Sequence, residues 1–153
     1  DHLKEGDVLT VRGPYGDFFL RDSDRDILLI ATGSGLAPIK SVLHRIEEEG
    51  ITRKTMFFFG ARRPEELYYY DYLKSLEQKL PNFKYYPVLS RVEPTDGWTG
   101  DTGRVTDLIK KYIPDNTALD AYICGAPPVV ESCIASLKGK GVPEARIFYD
   151  KFA

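Results

Sequence analysis

The chain has 153 residues, with 21 Lys plus Arg against 23 Asp plus Glu and a formal net charge of −2. That length predicts one domain with a self-sufficient core, and the near-balanced charge speaks against a nucleic-acid binder, which carries a basic excess. A hydrophobic content of 42% with 29% charged residues excludes disorder, and no apolar run approaches the roughly 18 residues of a membrane span. No direct membrane insertion is therefore expected. Residues 1–7 are charged rather than signal-peptide-like, so the expectation is a soluble, cytoplasmic domain. The two cysteines, Cys124 and Cys133, are too few for a disulfide framework and lack partners at zinc-like spacing, so no metal site is expected.

In chain order, residues 8–12 form a brief apolar/polar stretch that ends at the turn signal Gly13-Pro14-Tyr15-Gly16. Residues 18–20 read as a second short strand, and residues 21–26 as a linker with no apolar face. Ile27-Leu28-Leu29-Ile30-Ala31 is a continuous apolar run, as expected of a strand buried on both faces of a parallel sheet. After Thr32-Gly33-Ser34-Gly35, residues 36–49 place Ile39, Val42, Leu43 and Ile46 at helical spacing. Pro38 suits that helix's first turn and Gly50 its end.

The pattern then repeats. Strands are expected at 55–59, 84–89, 121–124 and 146–149, and helices at 64–80, 105–112 and 127–138. Pro87 inside the third of these five strands marks an edge or a bulge, and residues 93–103 read as a loop. Such alternation predicts a doubly wound, Rossmann-like α/β fold with five parallel strands.

Sheets of this kind bind ligands beyond the carboxyl ends of their strands, which selects four segments: 32–35, 60–63, 90–91 and 124–128. Gly33 and Gly35 sit between a buried strand and a helix, where backbone N–H groups and the helix dipole favour an anion. The third glycine of G-x-G-x-x-G is replaced by Pro38, so a plain tight turn explains the pair as well. The P-loop pattern G-x-x-x-x-G-K-[ST] does not occur, which disfavours a nucleoside triphosphatase. Cys124 precedes a helix start, a setting that can activate a thiol. However, the only histidines are His2 and His44, and a small buried hydrophobe is the simpler reading.

Taken in order, Gly13-Pro14-Tyr15-Gly16, Ala31-Thr32-Gly33-Ser34-Gly35-Leu36-Ala37-Pro38, Gly60-Ala61-Arg62, Cys124-Gly125-Ala126-Pro127 and Phe148-Tyr149-Asp150-Lys151-Phe152 resemble the ferredoxin–NADP reductase family. The likeness is greatest to its NADH-dependent branch: oxygenase reductase components and the flavin subunit of sodium-pumping NADH:quinone reductase. The resemblance implies that residues 1–24 are the last strands of a flavin-binding barrel and a hinge, and that residues 25–153 form the nicotinamide dinucleotide domain. The barrel's flavin motif R-x-Y-[ST] does not occur here, so FAD would be held by the full-length protein and a [2Fe–2S] cluster by a further domain. The partners implied are the flavin barrel of the same polypeptide, and a ferredoxin domain or oxygenase as electron acceptor. A protein of this kind can also sit at the periphery of a membrane complex.

The resemblance assigns the dinucleotide to Thr32, Gly33, Ser34, Gly35 and Pro38, with Gly60, Ala61, Arg62, Ser90 and Arg91 toward the adenosine and Gly125 and Pro127 around the nicotinamide. Cys124 would pack beside the nicotinamide C4 and the flavin N5, where positioning drives hydride transfer. Phe152 would stack on the isoalloxazine. Asp150 occupies the place of a carboxylate near the flavin, although its short side chain and the extra Ala153 depart from the pattern. Arg62, Arg63 and Ser90-Arg91 suit a 2′-phosphate, while the Trp98-Thr99-Gly100 turn is shared with the NADH branch. NADH is therefore favoured over NADPH. A nucleotide-binding regulatory module without hydride chemistry is the alternative.

Overall fold

The structure, a computed structural model, describes residues 3–13 and 15–152. Strand β1 (Asp26–Thr32) is the expected apolar run, and Ile27 through Ala31 are fully buried. It pairs in parallel with β2 (Thr55–Ala61) on one side and β5 (Leu119–Gly125) on the other. With β3 (Phe83–Leu89), β4 (Asp101–Thr102) and β6 (Ile147–Lys151), the sheet runs β4-β3-β2-β1-β5-β6. Chain order reverses between β1 and β5, so a crevice opens above their carboxyl ends.

Alternate residues of each strand feed two cores, as the strand period of two requires. Ile27, Leu29, Phe57, Phe59, Tyr85, Tyr122 and Cys124 face α1 (Leu36–Glu48) and α2 (Tyr70–Lys79). Leu28, Ile30, Met56, Phe58, Val88 and Ile123 face α3 (Val105–Tyr112) and α4 (Pro127–Gly139). Helix α1 buries Leu36, Ile39, Val42, Leu43 and Ile46, a stripe of the expected helical spacing.

Three elements differ from the sequence expectation. The sheet has six strands rather than five, because Asp101–Thr102 pairs with Val88 and Leu89; two residues are too few to show a period. The helix expected over 64–80 is split into a 3-10 turn, Pro64–Glu66, and α2. Tyr69 causes the split, standing at φ +58° immediately before α2, a left-handed conformation that no helix tolerates. Residues 8–12 and 18–20 form no strand. Val8 and Val11 are 96% and 85% exposed, and no strand lies beside them among the described residues. The turn expected at residues 13–16 includes Pro14, which lies outside the described residues.

The linker is not free. Leu20 is buried, and its carbonyl accepts an Arg45 N–H at 2.9 Å. Arg53 donates to the carbonyls of Arg21 (3.0 Å) and Arg25 (2.6 Å) and to the Asp120 carboxylate (3.0 Å). Asp120 is wholly buried and also lies 3.6 Å from Arg25 and from Arg146. Three guanidiniums around one carboxylate thus bind the linker to the amino ends of the strands, opposite the crevice.

Pro87 lies where an edge residue was expected. The Tyr85 N–H is taken by the Glu77 carboxylate (3.0 Å) and the Phe83 N–H by the Leu80 carbonyl (3.0 Å), and Pro87, two residues on, has no N–H. The outer edge of β3 before β4 therefore presents no free donor, which blunts it against pairing with another chain.

Candidate functional site

A cavity of about 600 Å³ opens at the carboxyl ends of the strands. Thr32, Gly33 and Ser34 line it from β1, Gly60, Ala61 and Arg62 from β2, and Ser90 from the end of β3. The starts of α3 (Arg104, Val105, Thr106) and α4 (Ala126, Pro128, Val129) complete the wall together with Phe152.

The two glycines after β1 serve different ends. Gly33 stands at φ +53°, and a Cβ there would meet nothing; it is glycine for conformation and leaves open space for a ligand. Gly35 is buried and does not line the cavity. A Cβ on it would overlap the Cys124 carbonyl, its carbon at 2.6 Å, and lie 3.0 Å from the Gly125 nitrogen. It is glycine because α1 starts against the end of β5, a reason of packing that glycine spacing alone did not reveal. Thr32 is similarly hemmed in. A Cβ on Gly125 would stand 2.5 Å from its Oγ1, and one on Gly60 would stand 3.1 Å from its Cγ2 and 2.7 Å from Val105 Cγ1.

On the β2–β3 side the Arg62 backbone N–H donates to the Glu66 carboxylate at 3.0 Å, and both residues line the cavity. The guanidiniums of Arg62 and Arg104 have no ion-pair partner among the described residues. By contrast, Arg63 is held by Glu93 at 2.6 Å, and the Arg91 backbone N–H donates to the Arg62 carbonyl at 2.8 Å while its side chain lies off the wall. Sequence reasoning missed Glu66 and Arg104. Arg104 was legible as the residue before a helix at a strand's carboxyl end; Glu66 lay hidden in a stretch taken for helix.

On the β5 side Cys124 is 1% exposed. Burial above all, then the charge of Asp150, pushes its thiol up to about 12 against the lowering effect of the Gly125 N–H. A thiol so held is neutral and packs, which removes the nucleophile reading. Asp150 stands beside it in the β5–β6 register and does not line the cavity, and neither do Gly125, Pro127 or Pro38. Phe152 is anchored, not frayed: its N–H donates to the Gly125 carbonyl at 3.0 Å and its ring packs against the α1–α2 core. Helix α4 begins Pro127-Pro128, and the N–H groups of Val129 and Val130 return to the Ala126 carbonyl at 3.0 and 3.1 Å. That rim of the cavity is therefore apolar and poor in donors.

A parallel sheet with a glycine-floored cavity at its topological reversal, two free guanidiniums on one wall and an aromatic on the other defines a dinucleotide-binding α/β domain. The profile of the oxidoreductase NAD-binding domain family matches residues 29–135, and the chain belongs to that family. It is 35% identical to the reductase component of propane 2-monooxygenase from Rhodococcus jostii over 99% of this chain and 42% of that protein. It is 37% identical to the xylene/toluene monooxygenase electron transfer component of Pseudomonas putida, covering 97% of this chain and 43% of that one. One component of the Na(+)-translocating NADH-quinone reductase of Klebsiella pneumoniae is 35% identical, covering 98% of this chain and 38% of its own length. Among solved structures, the cytochrome P450 reductase GcoB of Amycolatopsis superposes with a TM-score of 0.82 at 28% identity, covering 92% of this chain and 42% of that one. The family resemblance read from the motifs is borne out, and the chain spans about two-fifths of the length of the curated relatives it matches.

Proposed function

We propose that this chain is the NADH-binding part of a flavin-dependent electron-transfer reductase. The carrying observation is the cavity's division: a glycine turn and two guanidiniums without an ion-pair partner among the described residues on the β1–β3 side, and an apolar rim with Phe152 on the β5 side. The first suits a diphosphate, the second an uncharged ring. Thr32, Gly33 and Ser34 would hold the pyrophosphate, Arg62 and Arg104 its charge, and Ala126, Pro128 and Phe152 the nicotinamide. Cys124 and Gly35, behind the wall, would fix the distance between its two halves.

The flavin, when bound, accepts the hydride and divides its electrons. This chain's share of the flavin site would be the face of Phe152, and the rest would come from a flavin barrel in the same polypeptide. A [2Fe–2S] cluster would need other ligands, since Cys124 and Cys133 are both buried. The electron acceptor is proposed to be an iron–sulfur domain or an oxygenase, in keeping with the names of two relatives. The proposed setting is the cytoplasm; no described helix is long and apolar enough to cross a membrane.

NADH is favoured over NADPH because the Glu66 carboxylate, fixed by the Arg62 N–H, stands on the wall that would receive the adenosine. It can accept from a ribose hydroxyl and repels a 2′-phosphate. The test is anaerobic titration of the full-length flavoprotein with each nicotinamide. NADH should bleach the flavin at lower concentration than NADPH. No bleaching with either, or binding of NADH and NAD⁺ without redox change at the flavin, points instead to a regulatory nucleotide-binding module.

A further inference from the structure

A second cavity, of about 740 Å³, lies away from the dinucleotide wall, between α2, the outer edge of β3 and residues 97–101. Its size falls within the range of small-molecule sites. Three aromatic rings form one side: Tyr70 meets Tyr85 edge-on at 6.1 Å and Trp98 at 6.4 Å. Nothing in this chain's chemistry with a nicotinamide calls for it.

The charges on its wall nearly cancel. Lys74 pairs with Glu77 at 3.3 Å and lies 5.5 Å from the Tyr85 ring centre. Asp101 is taken by Lys111 and by the Tyr112 hydroxyl. Asp71, exposed in the first turn of α2, has no hydrogen bond or ion pair among the described residues, so the wall carries one negative charge without a side-chain partner. A second polar group is also unanswered. Tyr85 lines the cavity and is 2% exposed, yet its hydroxyl has no hydrogen-bond partner among the described residues. Buried polar groups without partners are rare in native folds. An aromatic wall with one carboxylate that lacks a side-chain partner is complementary to a flat cation. The dinucleotide cavity has the opposite sign, with its free cations Arg62 and Arg104, so the two sites would not compete for ligands.

We propose that this cavity binds a small planar aromatic cation of the amidinium or arylammonium class, its ring among Tyr70, Tyr85 and Trp98 and its charge toward Asp71. Three probes of nearly equal shape test it: benzamidine, benzamide and benzoate. Each is titrated into the chain calorimetrically, and through quenching of Trp98, the single tryptophan. Benzamidine should bind about five-fold more tightly than benzamide, the upper size of an exposed ion pair with Asp71, and benzoate more weakly than either. Saturating NADH should leave these affinities unchanged. Asp71→Asn should erase the preference for benzamidine over benzamide, and Asp71→Glu should retain it. Equal binding of the three probes, tighter binding of benzoate, a preference that survives Asp71→Asn, or no binding at all overturns the proposal. Apart from the NADH control, none of these readouts uses flavin or nicotinamide chemistry, so they stand or fall apart from the function proposed above.

Discussion

Gly35→Ala tests whether the turn after β1 is glycine-rich for packing or only for access to an anion. The added Cβ would stand 2.6 Å from the Cys124 carbonyl carbon, against the 3.4 Å at which ordinary contact begins. Both sides are backbone, so no side chain can swing aside. The carbonyl oxygen is nearer still, so the start of α1 and the end of β5 must part by roughly 1 Å, and overpacking of that kind costs about 1–3 kcal/mol. The same movement separates Thr32 and Ser34 from Ala126 and Phe152, the proposed walls for pyrophosphate and nicotinamide. A misplacement near 1 Å can slow a reaction by about 100-fold. Gly33→Ala is the control: it meets no atom and costs only the left-handed backbone, about 1–2 kcal/mol. It should weaken NADH binding while leaving the rate at saturation closer to the parent's. Urea unfolding of the chain and stopped-flow flavin reduction in the full-length protein measure the two effects. If Gly35→Ala unfolds within about 0.5 kcal/mol of the parent and reduces flavin at the parent's rate, the packing argument is wrong.

Asp120→Asn leaves three partly exposed guanidiniums facing a buried neutral amide. It should cost about 3–5 kcal/mol, or roughly 10 °C in Tm at this chain length; a loss below about 1 kcal/mol in urea melts would show the cluster to be ornamental. Burial pushes the thiols of Cys124 and Cys133 up to about 12, so alkylation at pH 8 should require unfolding. The sign follows from linkage: a folded pKa above the unfolded value gives stability that is whole below about 9 and fades as pH rises toward 12. Fast labelling of Cys124 in the native state by iodoacetamide, read by mass spectrometry, would contradict this. Glu66→Gln removes the carboxylate from the adenosine wall and should raise the ratio of NADPH to NADH affinity roughly tenfold; an unchanged ratio in parallel titrations would assign the preference elsewhere.

Much of the fold was legible because burial on both faces leaves a plain mark. The run from Ile27 to Ala31 has no polar residue to suggest an exposed face, and α1 has a clean apolar stripe. What escaped had no periodic signal. Strand β4 is two residues long, and Tyr69 is a tyrosine in a conformation usually left to glycine. The residues of the β1 turn were legible as a site, but the separate reasons for Gly33 and Gly35 were not, since one depends on β5, almost 90 residues away in sequence. Glu66 was invisible for a related reason: its value lies in the Arg62 N–H that its carboxylate accepts, a contact between the end of β2 and the 3-10 turn that follows it.

The same crowding that demands glycine at 35, 60 and 125 also orients the proposed ligand. Thr32 stands between the ends of β2 and β5, and the cavity walls on its two sides differ in chemistry. On the β2–β3 side the start of α3 offers the Arg104 guanidinium beside the Thr106 hydroxyl. On the β5 side α4 opens with two prolines, which supply no N–H, and its next two donors are spent on Ala126. A dinucleotide displaced toward α4 would set its charged diphosphate against a rim poor in donors and leave two guanidiniums unanswered. Desolvating an anion without hydrogen bonds costs far more than a ring gains by stacking. On the proposed reading the double proline at the head of α4 would act by refusal, turning the phosphates toward β1 and leaving the space beside Phe152 to the uncharged ring.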